Sequence, residues 1–178
     1  MKKISLLLAL ALLTSCSSTP VKVAPAIVNV TSCDSITVTD VKTGIDFPCM
    51  DGKSTLNFAA LKGPLIVNVW GSWCESCKDE LPILIDFYTR AASKVKLLGI
   101  DVEESNTHAG ADFVKTSGIT WPNVMDPDGR SRGFFGMGVP VTWFIDATGT
   151  VVYKKIGTIK SVQQLEGLTM THLKISVS

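Results

Sequence analysis

Two stretches in the middle of the chain are apolar at most positions. They are Leu65-Ile66-Val67-Asn68-Val69-Trp70 and the run from Val95 to Val102. Continuous apolar runs of this length read as strands covered on both faces. Between them, Leu81, Leu84, Ile85 and Tyr88 recur at helical spacing, which predicts an amphipathic helix over 78–92. Pro82 lies inside it, removes one backbone donor and predicts a kink. A second helix is expected over 106–117, ended by Gly118. Strand, helix, strand, helix in that order implies parallel pairing through crossovers. Trp121-Pro122 opens an extended segment that runs to the turn Asp126-Pro127-Asp128-Gly129. The run Val139 to Asp146, the turn Ala147-Thr148-Gly149 and the segment 150–156 then read as a hairpin, and 161–173 as a last helix. Upstream, the alternation of Ile36, Val38 and Val41 suggests a short strand. Asp51-Gly52 marks a hairpin turn between 45–47 and 55–58, and Lys62-Gly63-Pro64 reads as a turn.

Composition adds little to this picture until the N-terminus is considered. The 178 residues are 46% hydrophobic and carry a net charge of +1, which suits one domain with a sizeable core. Lysine and arginine are scattered along the chain, so nothing marks a nucleic-acid partner. Lys2 and Lys3, however, precede the apolar run 4–13, too short to span a bilayer but suited to a signal peptide core. The run ends in Leu13-Thr14-Ser15-Cys16, which looks like a bacterial lipobox with Cys16 as the lipidated residue. Ordinary secretory cleavage elsewhere is the other reading. The expected organisation is a signal peptide over 1–15, a flexible Ser-, Thr- and Pro-containing tether over 16–32 and a folded domain over 33–178. Either cleavage exports the domain, and lipidation would anchor it to the bacterial cell envelope, on its periplasmic or extracytoplasmic face.

Export changes what the cysteines mean, because disulfides persist outside the cytosol. With Cys16 assigned to lipid, four thiols remain as two pairs: Cys33 with Cys49, and Cys74 with Cys77. Cys74-Glu75-Ser76-Cys77 sits where an apolar strand gives way to a helix, the setting of a redox dithiol. The alternative, half of a zinc site, needs two further ligands, and His108 and His172 stand apart. Cys33 and Cys49 would close a loop of about seventeen residues, worth roughly 3 kcal/mol as a staple. A second redox couple relaying electrons to Cys74 and Cys77 is the sharper alternative, although neither cysteine begins a helix.

Trp73-Cys74-Glu75-Ser76-Cys77, the following Glu80-Leu81-Pro82-Ile83-Leu84, and Gly138-Val139-Pro140-Val141-Thr142-Trp143-Phe144-Ile145-Asp146 together resemble the thioredoxin superfamily. More narrowly they resemble its extracytoplasmic TlpA/ResA/DsbE-like thiol-disulfide oxidoreductases, over most of residues 45–160. The resemblance implies an α/β thioredoxin-like fold with an N-terminal β-hairpin extension and an inserted helix, here 106–117. It implies a cis peptide bond before Pro140, with Pro140 facing the dithiol. It also places Glu104 as an acidic residue serving near the dithiol as general acid/base; a solvated loop carboxylate is the alternative. Two departures from cytoplasmic thioredoxins stand out: Asn68 replaces a buried Asp, and Val139 precedes the proline.

The chemistry follows from the residue types. Cys74, at the helix start, meets unpaired N–H groups and the positive end of the macrodipole, so it is the expected nucleophile. Cys77 would resolve the mixed disulfide. Glu75 would oppose the Cys74 thiolate and move the pair toward a reductant, unless solvent screens it. Trp73, Trp121 and Trp143 either rim a substrate groove or pack the core. His108 and His172 read as surface residues, and Met125, Met137 and Met170 as packing. The leading expectation is a reductase of exported protein disulfides that needs no cofactor. By resemblance its substrates include apocytochrome c, and a membrane electron conduit of the DsbD or CcdA type recharges it. A disulfide-forming oxidant, a peroxiredoxin-like peroxidase, a copper carrier and an idle anchor are the competing readings.

Overall fold

The computed structural model describes residues 30–177 except 42 and 137. Cys16, the signal segment and the tether up to residue 29 therefore lie outside the described residues, as does Met137. Two short strands, β1 (Asp46–Pro48) and β2 (Thr55–Asn57), form the expected antiparallel hairpin. The core sheet contains β3 (Leu65–Trp70), β4 (Lys96–Val102), β5 (Asn123–Asp126), β6 (Val141–Ile145) and β7 (Val151–Ile156) in the order β5-β4-β3-β6-β7. β3, β4 and β5 run parallel, β6 pairs antiparallel with β3, and β7 pairs antiparallel with β6 at the edge. The helices are α1 (Glu75–Ala91), α2 (Ala109–Ser117), α3 (Arg132–Phe135) and α4 (Val162–Leu173).

The alternation of side chains along the strands divides the core in two. Ile66, Trp70 and Leu97 face the helices, where they pack with Leu84 and Phe87 of α1, Ala111 and Val114 of α2 and Leu165 of α4. Val67, Val69, Leu98 and Ile100 face the other way, toward Phe47 and Leu56 of the hairpin and Phe135 of α3. Every residue of β3 is consequently buried, whereas β7 alternates half-buried and exposed positions along the sheet edge. That is why the continuous apolar run of β3 was legible as a central strand.

The structure corrects some expectations. No strand forms over 36–41; residues Cys33–Ser35 make one 3-10 turn, and Val38 contributes only a single bridge to Leu61. α2 starts at Ala109 because Asn106 Oδ1 accepts from the backbone N–H groups of His108 and Ala109, both at 3.0 Å, and ends the loop there. The four-residue α3 was not anticipated. At the Lys62-Gly63-Pro64 turn, a Cβ on Gly63 would lie 1.9 Å from the carbonyl oxygen of Ile145, so this close approach excludes any side chain.

Cys33 and Cys49 are joined by a disulfide with Cα atoms 6.2 Å apart, and both are buried. The cross-link fixes the N-terminal segment to the hairpin. Cys49 in turn bridges Val124, and the Met50 N–H donates to the Asn123 carbonyl at 2.8 Å. The hairpin thus covers the open edge of β5, where unpaired backbone groups would otherwise face outward.

Candidate active site

β3 ends at Trp70, and four residues later Cys74 caps the N-terminus of α1. Its sulfur accepts the Cys77 N–H at 3.2 Å, satisfying one of the donors that every helix start leaves open. Cys74 and Cys77 are bonded to each other as a disulfide with Cα atoms 5.3 Å apart. Both are nearly buried, at 5% and 6% exposure, while the neighbouring Trp73 is half exposed and donates its indole N–H to the Val102 carbonyl. Of the three tryptophans considered, only Trp73 is exposed. Trp121 packs edge-on against Tyr88, and Trp143 lies between Phe135 and the Lys154 ammonium.

The register of β3 against β6 sets Val69 opposite Val141, which carries Pro140 to the level of Trp70 and the loop leading to Cys74. The Val139-Pro140 peptide is cis, as the resemblance implied. Pro140 itself is buried, and its carbonyl accepts the Gly157 N–H at 3.0 Å. Glu75 is oriented differently from the expectation placed on it. Its carboxylate is 83% exposed and paired with Lys78 at 2.7 Å, so solvent and a counter-charge weaken its hold on Cys74.

A second carboxyl of the same helix is buried. Glu80, three residues after Cys77 on the same helix, is fully buried. Its Oε1 accepts from Asn68 Nδ2 at 2.8 Å and its Oε2 from the Ile159 N–H at 2.8 Å. Burial raises its pKa above the ordinary glutamate value; the bonds from Ile159 and Asn68 oppose the rise without cancelling it. Asn68, standing where a buried Asp was missed, therefore orients an acid contributed by the helix. Asn68 and Cys77 also line a common cavity of about 10 Å³, close to the smallest that seats one water. The sequence did carry a signal for Glu80: it interrupts the buried stripe Cys77, Leu81 and Leu84 of an amphipathic helix.

Glu104 is placed at the other end of the dithiol loop. Its two oxygens accept from the Ser72 backbone N–H at 2.5 Å and the Ser72 hydroxyl at 2.6 Å, two residues before Cys74. It is half-buried and holds the loop rather than hanging in solvent. The residue before it, Glu103, adopts a left-handed backbone (φ 55°) and pairs with Arg132 of α3. Beneath Glu104, Asp101 at the end of β4 is 4% exposed. Burial first, then its hydrogen bond to Glu104 and the charge there, push Asp101 up to about 9. A Cβ on Gly110 of α2 would lie 1.7 Å from Asp101 Oδ2, so only glycine lets the helix cover this carboxyl. Sequence reasoning passed over Asp101 because a single acid ending an apolar strand also reads as the start of a solvated loop.

Comparison with known proteins agrees with this arrangement. Residues 40–154 match the AhpC/TSA family. The thiol-disulfide oxidoreductase ResA of Bacillus thuringiensis (strain Al Hakam) is 32% identical over 121 residues, covering 66% of this chain and 68% of the relative. The thiol:disulfide interchange protein DsbE of Pseudomonas fluorescens biotype C is 35% identical over 120 residues, covering 66% of this chain and 65% of the relative. The crystal structure of StoA from Bacillus subtilis superimposes with a TM-score of 0.60 at 26% identity, covering 74% of this chain and 99% of StoA. With a disulfide-bonded Cys-x-x-Cys at the head of α1 and this sheet behind it, the chain belongs to the AhpC/TSA family and, within it, to the thioredoxin-fold thiol-disulfide oxidoreductases of ResA and DsbE type.

Proposed function

We propose that this enzyme works as a reductant of disulfides in exported polypeptides, with Cys74 as nucleophile and Cys77 as resolving thiol. The observation that carries the reading is the Cys74 and Cys77 pair at the start of α1 with the buried Glu80 one turn further along. In the reduced enzyme the Cys74 thiolate attacks one sulfur of a substrate disulfide, the substrate S–S bond breaks, and the departing sulfur takes a proton. The Cys77 thiol gives up its proton and attacks Cys74, releasing the second substrate thiol and leaving the Cys74–Cys77 disulfide seen in this structure. Two electrons pass to the substrate; of the two protons that its sulfurs take up, one comes from solvent and one is the Cys77 proton handed back by Glu80. Glu80, held by the Asn68 amide, receives the Cys77 proton by way of a single water in the small cavity that Asn68 and Cys77 line. Pro140 borders the approach to Cys74, and Glu104, through Ser72, acts as a positioning residue for the loop.

Direction follows from charge. A reduced form stabilised as thiolate makes a strong oxidant, and an acid buried beside the dithiol opposes that stabilisation once it ionises. The support for a reductant therefore rests on Glu80 more than on the exposed Glu75. The lipobox-like Leu13-Thr14-Ser15-Cys16 supports a lipid anchor on the envelope, and the resemblance supports apocytochrome c as client and a DsbD- or CcdA-type conduit as electron source. The test is the equilibrium reduction potential of the Cys74/Cys77 pair with Cys33 and Cys49 intact. A value near or below about −270 mV is expected, whereas one near about −120 mV would make the enzyme an oxidant and overturn the reading.

A further inference from the structure

Beside the dithiol loop, at the C-terminal ends of β4 and β5, lies a cavity of about 440 Å³. Asp101, Glu104 and Asn106 line one part of it, and Pro48, Met125 and Pro127 another. Among the described residues, no lysine or arginine lines it. Asp101 is 96% shielded from solvent in the sense that only 4% of it is exposed, and its Oδ1 has no hydrogen-bond partner. An acceptor left open at such depth is uncommon in a finished protein interior and marks a place where a donor from outside fits.

The lining specifies that donor. Two carboxyls with no cation among them favour a positively charged N–H group, and the Pro48, Met125 and Pro127 wall suits an aliphatic stem. A lysine or arginine side chain has both parts. The cavity is also close to the reacting sulfur: Glu104 bonds Ser72, and two residues of chain span at most about 7 Å from there to Cys74. We propose that this cavity is a substrate subsite that takes a basic side chain of the disulfide-bearing polypeptide, a few residues from its reacting cysteine. The proposal rests on the reading of the enzyme as a thiol-disulfide exchanger and names its substrate more closely.

Binding would depend on pH through Asp101. Around it β3 presents Trp70, β5 presents Met125, α2 presents Gly110 and the hairpin presents Pro48, while the loop after β4 presents Glu104, the charged group coupled to it. An arriving cation favours ionisation of Asp101, so complex formation expels a proton and the preference for a basic side chain grows as pH rises.

The experiment measures exchange between the full-length reduced enzyme in detergent and three disulfide peptides that carry Lys, Leu or Glu at one position three residues from the cysteine. The Lys peptide is expected to be preferred over the Leu peptide by about 10-fold, in KM rather than kcat. That ratio is expected to increase between pH 6 and pH 9, and to stay flat across this range in Asp101→Asn. Equal KM values for the Lys and Leu peptides at every pH, with all three exchanged, would overturn the subsite and leave the exchanger reading standing. Exchange with none of the three would overturn both.

Discussion

Glu80 and Asp101 both ionise at a cost, which hydrogen bonds partly offset at Glu80 and which Glu104 adds to at Asp101, and each has a consequence that can be measured. Glu80 follows Cys77 by one helical turn, at the spacing that sets two side chains on one face of a helix. Its ionised form repels a thiolate there. Glu80→Gln removes that charge while keeping the volume, so the dithiol is expected to ionise at lower pH and the pH profile of exchange to move to the acid side by about one unit. An unchanged profile would separate Glu80 from the chemistry. Asp101 acts on stability. In the unfolded chain an aspartate titrates near about 3.9, and in the fold this one is pushed up to about 9. The folded state keeps a proton that the unfolded chain has released, so this contribution to stability is present in full below roughly pH 4 and is lost as pH rises through the folded value. Within that window the slope reaches about 1.4 kcal/mol per pH unit. Asp101→Asn keeps the shape without the ionisation. Urea midpoints are expected to fall less between pH 5 and pH 8 in the variant than in the parent, and parallel curves would show that Asp101 ionises freely in the fold.

At the scale of elements, the hairpin and the edge strand β5 depend on each other. The Cys33–Cys49 disulfide holds the N-terminal segment against the hairpin, and Cys49 with Met50 covers β5. Asn123 of β5 extends the connection inward, since its Oδ1 accepts from Trp70 Nε1 at 3.1 Å, immediately before the dithiol loop. Replacing Cys33 and Cys49 together by alanine is expected to cost about 3 kcal/mol, read as a lower denaturation midpoint. If the pair is a staple, the Cys74/Cys77 potential stays where it was. A shift in that potential would instead favour the second redox couple. Both cysteines are buried, which keeps them from the solvent-borne thiols that exchange requires. The elements themselves were unevenly legible. The long periodic segments β3, α1 and β4 were read from their apolar pattern. The strand expected over 36–41 was not formed, because alternation alone does not supply a pairing partner, and Val38 finds only Leu61. The four residues of α3 carry too little periodicity to be recognised; Phe135 is fixed there by Trp143 of β6 and by Phe58, far away in sequence.

At the scale of the whole molecule, the described residues form an oxidoreductase whose dithiol sits at one end of the sheet, with Glu80 on one side of the loop and Glu104 on the other. If the segment before them anchors this domain as its lipobox-like residues suggest, Cys16→Ala is expected to move the exported protein from the membrane pellet to the soluble fraction after cell fractionation. Retention in the pellet would argue for attachment by other means. By itself the sequence determined the long strands and helices from β3 to β4, the identity of the dithiol, the hairpin and the family, because each is encoded locally in periodicity, in turn residues or in a short motif. The resemblance pointed to Glu104 but not to what Glu104 holds. The tertiary structure decided the rest. Whether a carboxyl is a solvated charge or a buried acid depends on what other elements bring over it: Ile159 and Asn68 over Glu80, Gly110 and Glu104 over Asp101. Glu75, the acid nearest the cysteines in sequence, ended in solvent beside Lys78, because proximity along a helix does not fix which way a side chain faces.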